Sequence, residues 1–184
     1  MDSLLSICRN EAPVMRGIAL STVTFIALLL PAEGVENGSG CEKFAWSLAR
    51  ERARFAAADK IIITAGDSLP SRPKGAVVMR LQPACQASFA LPPERTPRSD
   101  GWFGGAVRFP AVERSGIYQV TLSDEAWGDV IRNGRFARFI GSSGRSDCPG
   151  LRKSVRLELG LTPFVLQFSG ATRDAIVIAI SPSE

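Results

Sequence analysis

Histidine is absent from all 184 residues. That one absence removes the Ser-His-Asp triad, the Cys-His nucleophile pair and the common histidine-containing zinc sets. The four cysteines include no C-x-x-C spacing, which argues against a structural zinc site. No stretch of five or more like charges occurs, so no nucleic-acid-binding tail is expected. Phosphate-loop chemistry is missing too: "GSSG", Gly141 to Gly144, is not followed by Lys-Thr or Lys-Ser and reads as a flexible turn.

What is present begins with an export signal. Met15 and Arg16 precede the apolar run "GIALSTVTFIALLL", Gly17 to Leu30, and Pro31, Ala32, Glu33 and Gly34 follow it. A positive residue, an apolar core of about a dozen residues and a small-residue exit describe a secretory signal peptide. A membrane span needs about 20 residues, so the run is short for one. We therefore expect a signal over residues 1–34, with Met15 as an alternative start, a leader over 35–40 and one domain over 41–184. Membrane contact is expected only through the signal segment, and the mature protein in the periplasm or medium. Without its first forty residues the chain keeps 20 bases against 14 acids, a net +6 that either draws it toward anionic partners or, more simply, keeps a secreted domain soluble.

The oxidising compartment favours a disulfide among the three cysteines left. "CQASFAL" places Cys85, Ala87, Phe89 and Leu91 on one face of an expected strand, so Cys85 reads as a buried, inert thiol. Cys41 opens the domain and Cys148 lies in the loop "SDCPGLRKSV", Ser146 to Val155. A Cys41–Cys148 staple is the expected pairing.

Hydrophobic periodicity gives the fold class. "CEKFAWSLARERARFAAA", Cys41 to Ala58, carries Phe44, Leu48 and Phe55 near one helical face and Trp46 off it, predicting one N-terminal helix. Period two then takes over: Val77, Met79 and Leu81; Val107 and Phe109; Tyr118, Val120 and Leu122; Val155, Leu157 and Leu159; Phe164, Leu166 and Phe168; Ile176, Ile178 and Ile180. With "CQASFAL", "AWGDVIR" and "RFARFI" these make about nine short strands bounded by turn residues. A mainly β domain is expected, an antiparallel, jelly-roll-like β-sandwich.

The segments "GIYQVTLSDEAWGDVIRNG", "SDCPGLRKSVRLELGLTPFVLQFSG" and "IVIAI" resemble a group of small, uncharacterised, signal-bearing bacterial proteins. In these a Cys-Pro-Gly precedes Arg-Lys-Ser-Val, and an aromatic strand ends in Ser-Gly. A shorter part, from "G-x-Y-x-V-x-L" to "P-F-x-L-Q-F-S-G", is similar to bacterial pre-peptidase C-terminal β-sandwich domains. Some of the first group carry a homogentisate 1,2-dioxygenase label. A non-haem iron oxygenase needs two histidines beside a carboxylate, so that activity is not carried over.

Catalytic strings are weak. Ser71, Arg72, Pro73 and Lys74 match S-x-x-K, yet Pro70 and Pro73 place them in a loop where the motif should open a helix. Asp124, Glu125 and Asp129 offer a hard-cation set or, more simply, a turn. For binding, Trp102 and Phe103 stand between glycines in "SDGWFGG", as an exposed platform or as a plug for the sandwich. Arg152, Arg156 and Lys153 offer charge along "RKSVRLEL", on a stripe that is otherwise just a solvated face. Taken together these features predict a noncatalytic exported binding or accessory module for a glycan or envelope partner, without a cofactor. An envelope assembly component, and an enzyme using Cys148 or Ser71, are the alternatives.

Overall fold

A computed structural model describes residues 40–183 apart from 96, 98 and 99. The expected signal and leader fall outside the described residues, except for Gly40. The chain opens with a 3-10 turn, Cys41–Lys43, and a helix α1, Ala49–Ala56. The strands are β1 (Ile61–Thr64), β2 (Val77–Arg80), β3 (Gln82–Pro83), β4 (Phe103–Phe109), β5 (Gly116–Leu122) and β6 (Trp127–Arg132). They continue with β7 (Arg135–Phe136), β8 (Phe139–Gly144), β9 (Lys153–Leu159), β10 (Phe164–Ala171) and β11 (Ala175–Pro182).

They form two sheets, β1-β2-β11-β5-β9-β8 and β3-β4-β10-β6-β7. The strand pairings are antiparallel except β1 with β2, which run parallel, and one isolated parallel bridge joins Ser68 to Arg108. The alternating residues of both sheets join one hydrophobic cluster. Met79, Val120, Leu122, Leu157, Leu159 and Ile178 come from the first sheet, and Val107, Phe109, Val130, Leu166 and Phe168 from the second. Each fully buried side chain of this size stabilises the fold by about 1.5–3 kcal/mol. The domain is mainly β with one short helix, as the periodicity predicts.

One side of the core is closed by the chain itself. After β1 the backbone leaves the first sheet and bonds to β4 of the second, through Gly66 N–H to Ala106 O at 2.8 Å and Leu69 N–H to Arg108 O at 2.9 Å. Gly105 faces this crossing at φ 147°, and a Cβ there would sit 2.4 Å from the Ala65 methyl. Only glycine fits that approach.

The N-terminal segment departs from a single helix over 41–58. Only Ala49–Ala56 is α-helical, because Trp46 turns aside and donates its indole N–H to Ser154 Oγ at 3.2 Å. Phe44, Leu48, Cys41, Cys148 and Leu151 make a second small core, with Trp46 and Phe55 packed against it. The Cys41–Cys148 disulfide joins this segment to the loop before β9. Arg156 lies over the Trp46 ring at 4.4 Å, so this part of the β9 outer face is covered and is not the solvated stripe expected. Beneath the cover are the polar residues Glu51, Gln119, Thr121, Ser154 and Ser181, all buried.

Glu51 is the charged member of that layer. Burial raises its carboxyl pKa, but hydrogen bonds from Ser181 and Gln119, its own backbone and the nearby Arg50 outweigh this and hold it below the ordinary 4.5. Its stabilising effect is therefore complete above the unfolded value and is lost as pH falls through the lower folded one. Glu51→Ala is expected to cost about 1–3 kcal/mol at neutral pH, by leaving Ser181 and Gln119 short of an acceptor. Urea unfolding at pH 7 and pH 3 checks this: the difference between parent and variant shrinks in acid.

"CQASFAL" is not a strand. Pro83 leads into a turn in which Gln86 and Ala87 N–H groups bond back to Pro83 O at 2.8 and 3.0 Å. Cys85 is exposed there instead of buried, and it is disulfide-bonded, so the inert buried thiol is not found. Proline cannot donate to a ladder, and Pro83, Pro92 and Pro93 bracket the segment, which is why alternation misleads here.

Candidate functional site

The segment that fails to form a strand becomes a cover for the second sheet. Gln167, on the outer face of β10, accepts from Ala90 N–H at 3.1 Å and donates to Leu91 O at 3.0 Å and Asp129 Oδ2 at 3.1 Å. Asp129 also accepts from Glu94 N–H at 3.4 Å and from the Trp127 indole N–H at 2.7 Å. This network fixes the backbone just before Arg95. Asp129 is almost fully buried, at 2% exposure, but it is well supplied with donors.

Arg95 is thereby delivered to Trp127. Its guanidinium carbon lies 4.0 Å from the indole centroid, and Lys153 Nζ lies 4.6 Å from the same centroid. Lys153 starts β9 on the inward parity of Val155, Leu157 and Leu159, so its stem lines the edge of the core and its ammonium reaches outward. β7 pairs β6 only at Ile131 and Arg132, which leaves Trp127 at the less covered end of that strand.

Around this stack is a cleft of about 1210 Å³, lined by Arg95, Trp127, Arg145, Arg152, Lys153 and Ser169 among others. Its four cations among the described residues differ in state. Arg145 grips Asp147 through two hydrogen bonds of 2.9 Å and holds that carboxyl below its usual range. Arg152 donates to Glu125 at 2.8 Å and to Arg145 O at 3.3 Å. Arg95 and Lys153 have no carboxylate partner among the described residues. Burial pushes the Lys153 ammonium below its ordinary pKa and the Arg95 charge adds to this, against Glu125 and Asp129. Ser169 is 1% exposed and its Oγ has no hydrogen-bond partner among the described residues.

The residues singled out from the sequence are distributed differently. Trp102 is half-buried, its ring 6.1 Å from that of Phe89 and close over Gly104. Phe103 packs against the core. Arg152 lies in the cleft, whereas Arg156 is held by Trp46 and by Gln119 Oε1 at 3.4 Å. Asp124, Glu125 and Asp129 turn to separate partners: Ser123 and Arg173, Arg152, and the network under Trp127. Ser71 and Lys74 are exposed in a loop. Arg95, Trp127 and Ser169 were not singled out. The signals for the cleft were Arg152 and Lys153, the latter a lysine on the inward parity of a strand.

A second cleft of about 820 Å³ runs beside α1 and holds Arg52, Asp124 and Arg173. Arg173 lies 3.7 Å from Asp124 and Arg52 bonds Glu42 at 3.2 Å, so that groove presents matched charges. No family model, curated protein or solved structure matches the chain.

Proposed function

We propose that the protein is a noncatalytic exported binding module that takes an anionic ligand, a glycan bearing acid groups or a similar envelope component, in the cleft beside Trp127. The observation that carries this reading is the pair Arg95 and Lys153, drawn to one indole with no ion pair to a carboxylate among the described residues. Lys153 is partly desolvated and the exposed Arg95 repels it, and an anion beside both relieves the repulsion. Export is supported by the Cys41–Cys148 disulfide, since such bonds persist in oxidising compartments.

Titration calorimetry with acidic and neutral oligosaccharides of equal length tests it. Acidic chains bind, weaken as salt rises, and lose about tenfold or more in affinity on Arg95→Gln with Lys153→Gln, the loss of two charge-assisted contacts. Equal binding of neutral chains, or a double variant with the parent's affinity, contradicts the reading.

Lys153 also makes a pH prediction. An anion favours its ammonium form, which Arg95 and burial disfavour and Glu125 and Asp129 favour. Affinity should therefore fall with rising pH in a window below the ordinary 10.5, and the fall should be missing in Lys153→Gln. Affinity measured from pH 7 to pH 10 gives the curve.

A further inference from the structure

We infer that the cleft seats one dianionic phosphate group of its ligand between the Arg95 guanidinium and the Lys153 ammonium, with the Ser169 hydroxyl as third partner. This rests on the anion-cleft reading and narrows it to one chemical group.

Charge comes first. Arg145 and Arg152 form ion pairs with Asp147 and Glu125, whereas Arg95 and Lys153 form none among the described residues and meet at Trp127, with Asp129 bonded to the edge of the same indole, so the positive charge not taken up in ion pairs is gathered at one point and not in a row along the cleft. A row of evenly spaced carboxylates would match a row of unpaired cations. A compact dianion matches a pair.

Distance comes next. The two cationic centres lie 4.0 and 4.6 Å from one centroid, so their separation cannot exceed the sum of those distances. A phosphate group hydrogen-bonded at two of its oxygens spans about 7–8 Å between donor nitrogens, a reach comparable to that upper limit. Arginine's planar fork suits two of the oxygens and the lysine ammonium acts as a point charge on a third.

The third contribution is the unpartnered hydroxyl. Ser169 pairs with Trp127 across β10 and β6, lines the cleft, and is buried without a hydrogen bond for Oγ. Buried hydroxyls almost always have partners, so this one points to a missing acceptor. The next residue, Gly170, has φ 72° at the irregularity in β10, where a Cβ would come within 3.4 Å of Pro97. A side chain there would crowd the wall beside Ser169, and glycine keeps it open.

The test is calorimetry at pH 7.5 and low salt with inorganic phosphate, glucose 1-phosphate and glucuronate. We expect either phosphate compound to bind at least tenfold tighter than glucuronate. Arg95→Gln and Lys153→Gln should each weaken it about tenfold, Ser169→Ala a fewfold, and Lys153→Arg little, with thermal unfolding showing each variant folded. Equal affinity for inorganic phosphate and the ester supports the seat with the free ion as its source; a tighter ester supports a sugar phosphate. Glucuronate binding as tightly as the ester overturns the phosphate seat and leaves the anion cleft standing. Phosphate affinity unchanged by both glutamine variants overturns the seat as well, and no binding of any of the three overturns both readings.

Discussion

Replacing Cys41 and Cys148 together with alanine is expected to lower the unfolding free energy by about 4–5 kcal/mol and the melting temperature by about 10–15 °C. The bridge spans a sequence separation of 107, and in the chain-entropy model most of its effect is to restrict the unfolded chain. In the folded state it secures a layer held otherwise by modest contacts. These are the Trp46 hydrogen bond to Ser154, the Arg156 contact over Trp46, the Glu51 to Ser181 bond and the burial of Phe44 and Leu48. Thermal unfolding followed by circular dichroism measures the difference. A drop under about 1 kcal/mol would mean that packing alone holds the layer.

Phe168→Ala is the second large effect, about 3–5 kcal/mol. Phe168 is 1% exposed and stands between the sheets, with Val120, Leu122 and Val155 on one side and Val130 and Leu166 on the other. Its ring occupies the space a side chain at position 128 would need: a Cβ on Gly128 would meet it at 2.8 Å. Alanine leaves a void that the paired strands β6 and β10 cannot close without losing their register. Phe168→Leu keeps most of the volume and should cost about 1.5 kcal/mol or less. Denaturant unfolding of both variants checks the order, and similar costs for leucine and alanine would show that ring volume is not what matters here.

Alternation made the paired strands legible because one face of each meets a shared core. Tyr118, Val120 and Leu122, or Val155, Leu157 and Leu159, are apolar at every second position and buried at every one. The same reasoning failed at Cys85, where prolines on both sides remove ladder donors and turn the chain. It failed again on the outer face of β9. Parity says that Arg156 points away from the core, but not that Trp46 returns to cover it. The cleft was hardest to see, since Arg95, Trp127, Lys153 and Ser169 belong to four separate segments. They meet only because the segment before Arg95 is bonded to Gln167 and Asp129, a tertiary fact that no local pattern encodes.

The three tryptophans at positions 46, 102 and 127 are separate reporters of where a ligand sits. A nitrogen-15 correlation NMR titration with glucose 1-phosphate tests the central claim most directly. The account predicts that the Trp127 indole N–H and the Ser169 and Gly170 amides move together along one saturating curve, while the Trp46 and Trp102 indoles stay in place. A shift of the Trp102 indole with Trp127 unmoved would contradict it.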